Sequence, residues 1–174
     1  GNVLPLPQTG GVPEETLPNA ECGMETDVLV DYHDTTCPAL QLVPRILHLG
    51  IGCRKGTSAE TLETGLKRFC REREILPEAI CSAASIDLKS GEKGLLRFCQ
   101  ERKWPIRFYT AEELNCAEGS FSSSVFVQTV TGVDNVCERA AVVESGGKLI
   151  ETKYAQDGVT FALAEEKASF DWSW

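Results

Sequence analysis

Between Leu47 and Glu60 the chain reads LHLGIGCRKGTSAE: a short apolar run, three glycines, two cations and then a helix start. A strand that passes within a few residues into an amphipathic helix is the first half of a strand–helix–strand unit, and this restricts the possible folds more than composition does. Leu47, Leu49 and Ile51 suit the strand, and the run is expected to stop at a glycine-rich turn. Gly50, Gly52 and Gly56 allow a tight turn or the close approach of another group. Thr57 and Glu60 have the S/T-x-x-E spacing of a capping box, so a helix is predicted to begin near Ser58. The free N–H groups of that first turn, with Arg54 and Lys55 beside them, offer a seat for a carboxylate or phosphate. A plain strand-to-helix turn accounts for the same residues. The run is not a P-loop, which needs four residues between its glycines and a terminal Gly-Lys-Ser/Thr, and its glycines sit one residue too far apart for G-x-G-x-x-G.

The pattern then repeats. Leu62, Leu66, Phe69 and Cys70 recur at helical spacing to about Glu74, with Glu63, Lys67, Arg68 and Arg71 on the other side, and Pro77 closes the unit. ICSAASI (80–86) reads as a buried strand, DLKSGEKG as a turn, and Leu95, Phe98 and Cys99 as the face of a second helix. The two helices share GLKRFCRER and GLLRFCQER, identical at seven of nine positions. A duplicated unit would leave this trace, but two similar helices on one sheet would look the same, and the unmatched flanking strands favour the second account. WPIRFY (104–109) gives a third strand, and Thr110 with Glu113 caps a short helix. SSSVFVQTVTGVDNV is ambiguous between strand and a short helix. Asp134 is predicted to cap a further helix with Val133, Val136, Ala140 and Val143 on one face, stopped by Gly146-Gly147. KLIETKY, Asp157-Gly158 and VTFALA read as a hairpin.

Alternating strands and helices followed by a hairpin imply an α/β fold, a three-layer α/β/α sandwich whose mixed sheet is parallel at first and antiparallel at one edge. The chain divides into an extended segment at 1–45, holding six of the eight prolines and one short strand at Val28 to Tyr32, a domain at 46–164, and a tail at 165–174. The tail's exposed aromatics suit either disorder or packing against a neighbouring copy. The extended segment reads as the end of a preceding domain, and a start on Gly1 rather than Met reads as a fragment.

Ligands of such sheets bind beyond the carboxyl ends of the parallel strands. Those ends carry Arg54, Lys55 and Thr57, then Asp87, Lys89 and Ser90, then Glu112. Cations thus gather at the expected crevice of a chain with net charge −9, although single loop lysines are commonly just solvated. That charge argues against nucleic acid and against an anionic membrane surface. No apolar run is long enough to span a bilayer and no leader pattern opens the sequence, so the expected location is cytoplasmic. The eight cysteines lie at least ten residues apart with no C-x-x-C pair, and His33 and His48 stand far from any paired-cysteine pattern, so no protein metal site is expected. Most are expected to be buried thiols. His48, between Leu47 and Leu49, reads as a hydrogen-bonded structural histidine ahead of a catalytic one.

Four ordered segments, LVPRILHLGIGCRKGTSAETLE (42–63), ASIDLKSGEKGLLRF (84–98), RFYTAEEL (107–114) and GVDNVCERAAVV (132–143), resemble the C-terminal domain of the cobalamin biosynthesis protein CbiG family. The related single-domain CobE resembles the same module alone, and the segment before Leu42 resembles the end of the CbiG middle domain. The resemblance implies the anaerobic route to vitamin B12. There the family opens the ring-A δ-lactone of cobalt-precorrin-5A and releases a two-carbon fragment as acetaldehyde, a hydrolase acting on a carbon–carbon bond. Such chemistry needs a base for water, an acceptor for developing charge and donors for many peripheral carboxylates. Asp87 and Glu138 are candidate bases, with Lys89 as electrostatic partner. Gly50, Gly52, Cys53, Arg54, Lys55, Gly56, Thr57, Ser90, Glu112 and Asp134 are candidate tetrapyrrole-binding residues. Cys53 or Cys137 could serve as nucleophile, though such thiols are more often inert. No cofactor is implied, since cobalt arrives inside the substrate. The missing N-terminal CbiG domain is the protein partner the resemblance implies, and a second copy of the chain is a further candidate, raised by the aromatic tail. A non-catalytic corrinoid-binding or carrier module is the competing reading, and a nucleotide-binding domain a weaker third.

Overall fold

The computed structural model describes residues 28–35, 40–121 and 132–167. Strands β1 (Val28–Val30) and β2 (Leu40–Leu42) pair in parallel as a two-stranded ribbon. The first was predicted from sequence; the second was not, because Leu40 and Leu42 are exposed and carry no buried-strand signal. The ribbon is tied to the domain by the Leu76 amide, which donates to the Tyr32 carbonyl at 2.8 Å. Then follow β3 (Leu47–Cys53), α1 (Ala59–Glu72), β4 (Ile80–Ile86), α2 (Lys93–Arg102), β5 (Ile106–Tyr109), α3 (Ala111–Asn115), α4 (Val136–Ser145), β6 (Lys148–Gln156) and β7 (Val159–Glu165). The ambiguous run at 122–131, most of the proline-rich segment, Cys22, Cys37 and the tail from 168 lie outside the described residues.

The sheet order is β5-β4-β3-β7-β6, parallel across β5-β4-β3 and antiparallel across β3-β7-β6. Helices cover both faces, which gives the three-layer α/β/α arrangement with a mixed sheet. On one face Leu47, Leu49 and Ile51 of β3 and Phe161 and Leu163 of β7 pack against Leu62, Leu66 and Phe69 of α1 and Leu95 and Phe98 of α2. Phe69 stacks on Phe161 with ring centroids 5.9 Å apart. Each of these fully buried side chains stabilises the fold by about 1.5–3 kcal/mol.

The other face is built from small residues so that a helix can lie close. Alternation puts Gly50 and Gly52 of β3 and Ala162 and Ala164 of β7 there, under α4. A Cβ on Gly50 would sit 1.8 Å from the Cys137 carbonyl oxygen and 2.8 Å from the Ala141 nitrogen. This corrects the sequence reading of a turn at these glycines: β3 runs through both, to Cys53, and the turn begins at Arg54. The missing side chain serves backbone approach, not chain reversal.

Two caps also fall one residue later than their spacing predicted. Ser58, not Thr57, caps α1, its Oγ accepting from the Thr61 amide at 3.2 Å, while Thr57 Oγ1 donates to the Arg54 carbonyl. Asn135, not Asp134, caps α4 by accepting from the Glu138 amide. Asp134 instead pairs with Arg139 at 2.8 Å, which holds its carboxyl below the usual range. The Thr110–Glu113 box on α3 is present in full, and Gly146 ends α4 in the left-handed conformation. Asp157 and Gly158, both at positive φ, make the two-residue hairpin turn.

Candidate functional site

The carboxyl ends of β3 and β4, the first turn of α4 and the tip of the β6–β7 hairpin enclose a cavity of about 610 Å³. Strand β3 delivers Gly52, Cys53, Arg54 and Lys55 to its wall; Ile86 and Lys89 come from β4 and the 3-10 turn after it. The start of α4 contributes Asn135, Val136 and Cys137, and the hairpin adds Lys153, Gln156, Asp157 and Thr160. Four cations thus face one carboxylate in a chain of net charge −9. Among the described residues only Lys89 of the four is in a salt bridge, 3.5 Å from Glu92 Oε1.

Backbone pairing positions the cations. The Arg54 amide donates to the Gly158 carbonyl at 3.0 Å, and the Arg54 side chain lies along Gly158, whose Cβ would come within 2.8 Å of Arg54 Cδ. Gly158 is therefore required both for its φ of 80° and for the passage of the guanidinium stem. The other oxygen of Glu92 accepts from the Gly56 amide at 2.8 Å. The anion seat read from the sequence thus holds the chain's own carboxylate, and this amide, then Lys89, keeps Glu92 below the usual carboxylate range.

Of the candidates, Gly52, Cys53, Arg54, Lys55, Lys89 and Cys137 line the cavity. The other candidates do not line it. Gly50 lies beneath α4, Gly56 bonds Glu92, and Thr57 turns back to Arg54. The Ser90 amide donates to the Asp87 carbonyl, and Asp87 is exposed with its carboxylate accepting from the Leu88 amide at 2.7 Å. Glu112 is exposed on α3, and Asp134 is engaged by Arg139. Glu138 is fully buried and accepts from the Lys153 amide at 2.7 Å. Sequence reasoning missed Lys153, Asn135, Gln156, Asp157 and Thr160. The Asp157-Gly158 turn was legible, but only the antiparallel pairing of β7 on β3 brings its hairpin to this crevice.

Burial pushes the Cys137 thiol up to about 11, with the Thr160 hydroxyl and the Lys153 charge acting against the shift. Burial likewise raises Cys53, opposed by Lys89. Both thiols are held protonated at neutral pH, which is the wrong state for nucleophiles. Among the described residues no group of three His, Cys, Asp or Glu side chains could hold a metal ion, and no helix is long and apolar enough to cross a membrane. His48, at the other end of the sheet, is hydrogen-bonded as expected: its Nδ1 lies 2.8 Å from Ser82 Oγ, which donates to Glu144 at 3.0 Å. Tyr109 donates to the other Glu144 oxygen at 2.7 Å.

Comparison with known proteins bears on the family and the fold. The chain is 32% identical over 149 residues to the cobalt-precorrin-5A hydrolase of Salmonella typhimurium, covering 86% of this chain and 42% of that protein. It is 32% identical over 122 residues to the hydrolase of the same name from Priestia megaterium, covering 70% and 32%. The chain thus spans less than half the length of these curated relatives. The crystal structure of CobE, described as a protein from the cobalamin (vitamin B12) biosynthetic pathway, superposes with a TM-score of 0.64 at 33% identity, covering 71% of this chain and 92% of that one. The profile of the family described as cobalamin synthesis G C-terminus matches residues 47–164, and the chain belongs to that family.

Proposed function

We propose that this chain works in cobalamin biosynthesis by seating a cobalt-precorrin at the cationic cavity, as part of a cobalt-precorrin-5A hydrolase whose remaining domains lie outside this sequence. One observation carries the reading: Arg54, Lys55, Lys89 and Lys153 converge on one cavity of an acidic chain, where peripheral carboxylates would meet them. A volume near 610 Å³ suits a drug-sized ligand, so a tetrapyrrole enters by one edge and leaves the rest of its ring for a neighbouring domain. The setting is cytoplasmic, and cobalt is carried by the substrate.

In the hydrolysis, water adds to the lactone carbonyl, the acyl–oxygen bond breaks to give a carboxylate and an alcohol, and acetaldehyde leaves in the following carbon–carbon cleavage. The cations stabilise the oxyanion of the first step and the carboxylate it leaves. Asp157, in the wall with its Oδ2 3.9 Å from Arg68 Nη1, is the carboxylate proposed to take the proton from water.

A carrier role is the second reading. It is favoured by the protonated thiols of the wall and by CobE, 92% of whose solved chain is matched by this one. Anaerobic incubation with cobalt-precorrin-5A, following the corrinoid spectrum and acetaldehyde together, separates the two. Acetaldehyde release supports the hydrolase reading and makes Asp157→Asn the next variant. A spectral shift without acetaldehyde supports the carrier, and no change in either refutes both.

A further inference from the structure

Strand β6 carries an extra residue relative to β7 between Glu151 and Tyr154: Glu151 pairs with Leu163 and Tyr154 with Phe161, so Thr152 and Lys153 share the place opposite Ala162. This is a β-bulge, and it resets the alternation of the strand. Without it Lys153 would fall on the same face as Glu151, which meets Arg73 of the α1 side at 3.2 Å. With it Tyr154 takes that face, packing on Phe69, and Lys153 turns to the α4 side, where it lines the cavity with Cys137.

A bulge takes an amide out of the strand ladder. Here the Lys153 amide donates to Glu138 Oε1 at 2.7 Å. Glu138 is fully buried on α4, and a carboxylate so placed carries a large desolvation cost that a shape-filling residue would avoid. Its bond to the amide lies at the second of the two register shifts of β6, the first falling between Leu149 and Glu151, and at this second shift the Lys153 side chain lines the cavity.

We propose that Lys153 grips a peripheral carboxylate of the ligand from the hairpin side of the cavity, and that Glu138 is its positioning residue, acting through the β6 bulge. The proposal rests on the corrinoid reading above and adds a residue that the strand-end rule could not supply.

The test is a titration with cobyrinic acid, a stable corrinoid that keeps its peripheral carboxylates, against cobinamide, in which amides replace them. Lys153→Met should weaken cobyrinic acid binding about tenfold or more, as loss of a charge-assisted bond does, and leave cobinamide unaffected. Glu138→Gln keeps an acceptor for the amide and should bind within about twofold of the unmodified chain. Glu138→Ala should match Lys153→Met, and the double variant should be no weaker than Lys153→Met alone, because Glu138 acts through Lys153. Cobyrinic acid binding that Lys153→Met leaves unchanged overturns the proposal and spares the corrinoid reading. So does an equal loss for cobinamide, or a further loss on adding Glu138→Ala to Lys153→Met, either of which marks general structural damage. Failure of the unmodified chain to bind cobyrinic acid overturns both.

Discussion

Replacing Gly50 with alanine tests whether the small-residue face of the sheet exists to let α4 rest on β3. The new Cβ would lie 1.8 Å from the Cys137 carbonyl oxygen, about 1.6 Å short of the 3.4 Å where ordinary contact begins. The obstacle is helix backbone, so no rotamer change relieves it and α4 must move as a body. Overpacking of this kind costs about 3 kcal/mol or more, well above the roughly 0.4–1 kcal/mol that Gly→Ala can return by restricting the unfolded chain. For a chain of this length 3 kcal/mol lowers the melting temperature by about 6–12 °C. Gly91→Ala is the control, since a Cβ there meets nothing within 4 Å. Paired thermal and urea unfolding of the two variants reads the difference. Because α4 carries Asn135, Val136 and Cys137 into the cavity, Gly50→Ala should also weaken ligand binding. A melting temperature within about 2 °C of Gly91→Ala would refute the packing argument.

Other expectations follow from the same geometry. Arg54→Ala should weaken cobyrinic acid binding about tenfold with little change in melting temperature, and unchanged affinity removes Arg54 from the site. Gly158→Ala combines a strained left-handed φ with a clash against Arg54, so it should lower both stability, by about 1 kcal/mol, and affinity, measured by unfolding and titration. Alkylation of the native chain at pH 8 should label exposed Cys116 and spare Cys137, whose thiol is pushed up to about 11; peptide mass mapping that finds Cys137 labelled first contradicts its burial. Arg102 donates twice to Glu63, at 2.6 and 2.9 Å, and holds its carboxyl below the usual range. That stabilisation is complete above the unfolded carboxylate pKa near ~4.3 and is lost as pH falls through the depressed folded value. Glu63→Gln should therefore remove up to about 1 kcal/mol at neutral pH and flatten the acid limb of stability against pH, as read from urea midpoints.

Much of the fold was legible because its elements carry local signals. The apolar runs of β3 and β4, the amphipathic faces of α1 and α2, the Thr110–Glu113 box and the Asp157-Gly158 turn each identify themselves within a few residues. The caps slipped by one at Thr57 and Asp134, because Ser58 and Asn135 beside them offer the same chemistry and backbone geometry decides between neighbours. The role of Gly50 was hidden because its partner, the Cys137 carbonyl, lies 87 residues away in sequence. The site split in the same manner. Arg54, Lys55 and Lys89 follow parallel strands and were found by the strand-end rule, whereas Lys153 reaches the cavity through an antiparallel pairing and a bulge that no short-range pattern announces.

The most direct test of the account is a crystal structure of this chain with cobyrinic acid bound. One edge of the corrin should lie in the cavity beyond the carboxyl ends of β3 and β4, with peripheral carboxylates on Arg54, Lys89 and Lys153. A corrin bound elsewhere, for example at the opposite end of the sheet beside His48, with this cavity filled only by water, would contradict it.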